Sequence, residues 1–155
     1  MEELQEYKYQ GARSLVLLHG KHIRSFAEIW LEAKKMELIL PDTDDADYAS
    51  LESLLVHVLN SSRNYIKWIC RQLNLPDPGI KPPPEKEFIA EELSDYINHL
   101  LEKWSLPLAE LEENFFFGHT YVSNWGTEYC IEAMLEHAVI HPIRHEFQLS
   151  NLMKR

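Results

Sequence analysis

Apolar residues recur at intervals of three and four through four stretches of the chain, the pattern of helices that each bury one face. The first runs from about Gln10 to Met36, with Leu15, Leu18, Phe26, Ile29, Trp30, Ala33 and Met36 in register and no proline among them. An aspartate-rich loop follows, Pro41 to Asp47, whose carboxylates suit a helix start. The second stretch then continues to about Leu73, with an apolar arc of Leu51, Leu54, Leu55, Val58, Leu59, Tyr65, Ile66, Ile69 and Leu73. The third spans about Glu85 to Trp104, carrying Phe88, Ile89, Leu93, Ile97, Leu100 and Leu101 inward. Pro107 ends it, and Leu106 to Asn114 is expected to add a short helical piece. A loop over His119 to Gly126 precedes the fourth stretch, which Thr127 is expected to cap and which reaches about Met153. No strand-like alternation and no hairpin signal is visible.

Between the second and third stretches, Leu75 to Pro84 concentrates five of the eight prolines. Proline lacks an N–H and disfavours helix in the residue before it, so this segment is read as an extended connector. A long connector lets two consecutive helices run parallel. The pattern predicts an all-α fold, a four-helix bundle in a single domain over residues 1–155.

Polar positions on the helices carry the candidate chemistry. In Glu136 to Gln148, histidines stand at 137, 141 and 145. Each step of four advances only about 40° around a helix, so the three share one face. Neighbouring rings on that face have Cβ atoms roughly 5–6 Å apart, within reach of a common metal ion. Measured from His137, the buried arc of this helix centres near about 130°, with His141 at about 40° and His145 at about 80°. The later two therefore lie on the shoulder of the buried face and His137 lies furthest out.

Neutral imidazoles suit Zn, Ni, Cu or Fe(II). Three protein ligands would leave a position open, the catalytic rather than the structural pattern, where an ion acidifies water or stabilises a thiolate. An HxxxH spacing on a helix is also common among histidines that ligate nothing, and without a glutamate after the first histidine it is not the zinc-protease motif. Pro142 removes a helical hydrogen bond and is expected to alter the mutual aim of His141 and His145.

On the second helix His57 falls about 150° from the centre of the apolar arc. It shares a stripe with Ser53, Asn60, Ser61, Asn64 and Trp68, either a solvated face or the polar wall of a cavity. His19 and His22 form another close pair on the first helix. Three consecutive phenylalanines, Phe115 to Phe117, cannot all face one way, so one is expected to line a pocket or a subunit contact.

Composition narrows the classes. The 155 residues suffice for one real core, and an apolar share of 45% with a charged share of 26% is ordinary for a globular protein. A formal net charge of −10 argues against binding nucleic acid through its phosphates. The acidic beginning, Glu2-Glu3-Leu4-Gln5-Glu6, lacks the basic and apolar regions of a secretion signal, and no apolar run approaches a membrane span, so a cytoplasmic location is expected. Cys70 and Cys130 have no CxxC spacing and read as buried, inert thiols. No glycine pattern of a nucleophile elbow is present.

Several of these segments together resemble the DinB/YfiT-like four-helix bundles over most of the chain. His57 to Ile66 looks like the family's second-helix segment with its single metal histidine. Gly79 to Glu87 is similar to the crossover of YfiT-type members. Trp125-Gly126, Leu135-Glu136-His137, His141-Pro142-Ile143-Arg144-His145 and Gln148 look like its last helix, which usually ends HxxxHRGQ. Glu146-Phe147 stands where Arg-Gly is usual. The resemblance implies an up-down-down-up bundle, often a homodimer, with a divalent metal (Zn or Ni) held by His57, His141 and His145. His137 matches a position that is not one of the ligands. The activity implied is that of a metal-dependent enzyme acting on a small molecule, a low-molecular-weight thiol S-transferase or a hydrolase using water. The other reading is a catalytically silent metal-binding or protein-interaction bundle.

Overall fold

The computed structural model describes residues 3–155. It is mostly helical, with four long helices: α1 (Gln10–Lys35), α2 (Leu51–Gln72), α3 (Ile89–Trp104) and, after a single turn α4 (Asn114–Phe117), α5 (Ile131–Met153). α1 shares its longest seam with α5 and also packs on α2 and α3, while α2 packs on α3 and α5. Trp30, Phe26 and Ile23 of α1, Leu55, Leu59, Ile66 and Ile69 of α2, Leu100 and Trp104 of α3 and Leu135 of α5 are all but inaccessible to solvent. Each such aliphatic side chain stabilises the fold by about 1.5–3 kcal/mol relative to exposure, which makes this seam the main source of stability.

Both buried indoles keep their N–H satisfied: Trp30 Nε1 donates to the Leu51 carbonyl (2.6 Å) and Trp104 Nε1 to the Ser62 carbonyl (3.0 Å). Each bond ties one helix to α2.

Helix ends follow local chemistry. Ser50 caps α2, its hydroxyl accepting from the Ser53 N–H at 3.0 Å. α2 ends with Asn74 at φ +55°, and the Leu75 N–H returns to the Cys70 carbonyl (2.8 Å), a Schellman closure that turns the chain into the proline connector. The connector is pinned by side chains: Arg63 Nε donates to the Ile80 carbonyl (2.8 Å), Tyr96 to the Lys81 carbonyl (2.8 Å), and His99 Nε2 accepts from the Lys81 N–H (3.0 Å). Ile80 itself is buried.

Four expectations need correction. α3 starts at Ile89, because Glu85–Phe88 forms only a turn after the prolines. Residues 106–113 are not helical, and the single helical turn α4 begins at Asn114. Thr127 does not cap α5; Cys130 holds that position with no side-chain bond. The segment before α5 is a small hairpin, β1 (Tyr121–Val122) antiparallel to β2 (Glu128–Tyr129). Its turn is closed by Ser123, whose N–H bonds the Thr127 carbonyl and whose hydroxyl accepts from the Thr127 N–H, with Gly126 at φ +87°. That left-handed turn depends on glycine, and two-residue strands are too short to show an alternation. Of the three phenylalanines, Phe116 enters the core against Tyr9, and Phe115 and Phe117 stay exposed. No helix among the described residues is long and apolar enough to cross a membrane.

Candidate metal centre

α2 and α5 pack so that His57 meets His141 and His145. One ring nitrogen from each of the three lies within 4.8 Å of the others, a group able to hold a metal ion. His57 Nε2 and His141 Nε2 are 3.1 Å apart. That is close to the roughly 3.3 Å separating two nitrogens on a tetrahedral zinc, with Zn–N bonds of about 2.0–2.1 Å. The ring centroids stand 4.8–5.3 Å apart. His145 is buried, and His57 and His141 are partly so.

Groups around the triad set which nitrogen faces inward. His145 Nδ1 lies 2.9 Å from Gln148 Oε1, one helical turn away on α5. A carbonyl oxygen only accepts, so Nδ1 carries the proton and Nε2 is left with a lone pair. His57 Nδ1 lies 3.3 Å from Asp47 Oδ2, which favours the same tautomer. Asp47 belongs to a 3-10 turn, Ala46–Tyr48, held by Asp45 Oδ1 accepting from the Asp47 N–H (2.9 Å). The same turn places Tyr48 over the triad, its ring 5.9 Å from His57 and 5.7 Å from His145.

Burial, together with His145 and His57 beside it, lowers the pKa of His141 to about 3, and burial also lowers that of His145. Both rings are therefore neutral at pH 7, the form that ligates. His141 Nδ1 is buried without a hydrogen-bond partner. Converging lone pairs on neutral rings fit a cation, and the outer partners match the carboxylate and amide contacts that orient metal-bound histidines. The residues present fit a divalent metal.

His137, the outermost of the three on α5, stands apart from this group. Its ring stacks on Trp125 of the hairpin (5.1 Å, 30°) and meets Tyr65 and Tyr129 edge-on at 5.3 and 5.8 Å. Burial, with Arg144 nearby, lowers its pKa. The polar stripe of α2 proves to be a cavity wall at this level: Ser61, Asn64 and Trp68 line a cleft of about 300 Å³ with His57, Tyr65, Asn124, Trp125, Met134, His137 and His141. A larger cavity of about 470 Å³ lies on the far side of Tyr48 and Gln148 and contains none of the three histidines.

The other histidine pair is split, and only His19 serves the core. His19 is fully buried, stacked on Trp104 (3.8 Å, 19°), with Nε2 2.7 Å from the Ser62 hydroxyl. His22 points elsewhere, its Nδ1 3.8 Å from Glu146 Oε2, whose other oxygen accepts from Ser25 (2.5 Å). Burial raises the Cys70 thiol to about 11, so it is inert, while Cys130 is only half-buried.

Asp47 and Tyr48 were not legible as part of this centre. Both lie in an irregular loop about ten residues before His57, where no helical spacing connects them. Gln148 carried a signal, since it continues the histidine stripe three residues after His145. No known family profile, no curated protein and no solved structure matches the chain.

Proposed function

We propose that the chain is a metal-dependent enzyme of the DinB/YfiT-like type, with His57, His141 and His145 holding a divalent metal, zinc or nickel. The observation that supports this reading is the paired tautomer control, with Gln148 on His145 and Asp47 beside His57, which turns both inner nitrogens toward His141. The four long helices are taken as an up-down-down-up bundle with the proline connector as its crossover, and a homodimer as the assembly.

When bound, the metal would act as a Lewis acid that lowers the pKa of water or of a low-molecular-weight thiol. The chain's own residues do the rest. Three neutral imidazoles add no charge to the centre, so the ion keeps its full polarising strength. Asp47 and Gln148 hold two of those rings in one orientation. Tyr48 shields the centre on one side, and the cleft lined by His57 and His141 admits the substrate on the other. The reaction in this reading is thiol transfer or hydrolysis of a small molecule.

Metal analysis of chain purified without a polyhistidine tag tests this reading, followed by conjugation assays with several thiols and an ester. About one zinc or nickel per chain, lost in His57→Ala and His141→Ala and kept in His137→Ala, is the expected result. Loss in His137→Ala alone would move the centre, and metal without turnover on any thiol or ester would favour a silent metal-binding bundle.

A further inference from the structure

The cleft beside the triad has a lining of unusual chemistry for so acidic a protein. Among the described residues no Asp, Glu, Lys or Arg contributes to it, although the chain carries a formal net charge of −10. Its walls are ring faces and amides. Trp125, projecting from the hairpin turn and 49% exposed, stacks on His137, and Tyr65 stands edge-on to both His137 and His141. Asn64 and Asn124 offer carboxamides, each both donor and acceptor.

A charged ligand entering such a cleft loses hydration and meets no opposite charge on its walls, which disfavours it strongly. Arg144 is close enough to bear on Tyr65 and His137, but it is exposed and does not line the cleft. A flat ring gains an offset or edge-on contact with each aromatic neighbour, beyond the area it buries. The volume of about 300 Å³ equals roughly ten water molecules at about 30 Å³ each.

We propose that this cleft takes an uncharged aromatic molecule of about ten non-hydrogen atoms, its ring against Trp125 and Tyr65 and its neutral polar substituent toward His57 and His141. As the substrate class of the same centre, it rests on the metal-dependent reading above; as a binding site, it stands on the cleft alone.

Benzamide, benzoate and benzylammonium differ mainly in charge and serve as probes, titrated by ligand-observed NMR against the full chain, zinc-loaded and chelator-stripped. On the stripped chain benzamide is expected to bind at least tenfold more tightly than either charged congener. Trp125→Ala should weaken benzamide about tenfold with helical circular dichroism unchanged, and Trp125→Phe should restore most of it. Phe147→Ala, on the exposed face of α5 outside the cleft, should change nothing. Equal or tighter binding of benzoate or benzylammonium on the stripped chain overturns the proposal, as does benzamide binding that ignores Trp125, or none at all. A chain that takes no zinc yet binds benzamide through Trp125 defeats the metal reading and leaves the cleft assignment standing.

Discussion

His57 Nε2 faces His141 Nε2 across 3.1 Å, although 84 residues of chain separate them. Two neutral imidazoles brought nose to nose on different helices have one proton fewer than a hydrogen bond needs if both protons are held elsewhere. Asp47 favours that state for His57, and the orphaned Nδ1 of His141 means its proton has no good alternative acceptor. A cation between the rings takes the place of the missing proton, while the Nδ1 of His141 stays unpartnered. If the three histidines hold a metal, as proposed above, packing of α2 on α5 is linked to its occupancy.

The outer partners should therefore tune affinity without abolishing the site. Gln148→Ala frees the His145 ring to rotate and change tautomer, and Asp47→Asn weakens the hold on His57. Each is expected to lower zinc affinity about 10–100-fold while the stoichiometry at saturating metal is unchanged. Competition with a chromophoric chelator measures this directly; identical affinities in wild type and both variants would leave the two contacts without a role at the centre.

Pro142 lies buried inside α5, whose helix runs through it from Ile131 to Met153. Its missing N–H removes the ladder bond to the Ala138 carbonyl, in the turn that carries His141, so Pro142→Ala should change the mutual aim of His141 and His145. We expect a shift in metal affinity with the helical content intact. The same chelator competition reads it, and an unchanged constant would assign the proline to packing alone.

Helix content was legible because the apolar period is strong; the arc of α2 is largely buried as read, whereas Leu18 and Met36 at the first helix and Phe88 before the third are exposed. What escaped the period was chemistry carried by irregular backbone. His57 looked solvent-facing because the period knows only one core, whereas here the polar side of α2 turns toward the cleft and α5. Asp47 read as a helix-start carboxylate, since nothing in a linear spacing tells a capping acid from one folded back against an imidazole. The hairpin carrying Trp125 was invisible for a different reason, having only two residues per strand. His141 and His145 were separable from His137 by angle alone, because about 40° per step is enough to move a side chain from shoulder to rim.

Ser62 tests how tightly His19 is bound into the core. Its hydroxyl is the partner of His19 Nε2, both groups being buried. Ser62→Ala leaves a buried ring nitrogen unsatisfied, at a cost of about 1–3 kcal/mol. Urea unfolding should show a lower midpoint with the same slope, and no loss of metal. A variant as stable as wild type would imply that the hydroxyl adds nothing to the seam.

His19 also predicts the acid limb of stability. Burial holds its pKa at about 3, against an ordinary value of 6.5. Above about pH 6.5 the ring is neutral in both folded and unfolded chains, and its contribution is complete. As the pH falls below that value the unfolded chain binds a proton that the buried ring refuses, so stability is lost between about pH 6.5 and about pH 3. The slope is about 1.4 kcal/mol per pH unit for this one group. Stacking of a protonated ring on Trp104 would return about 2 kcal/mol or more once desolvated, which blunts the loss without cancelling it. Urea midpoints measured from pH 7.5 to 4.5 in a His57→Ala background, which removes metal release from the comparison, should fall more steeply than in the same background carrying His19→Gln. Parallel curves would mean that the His19 ring protonates without opening the core.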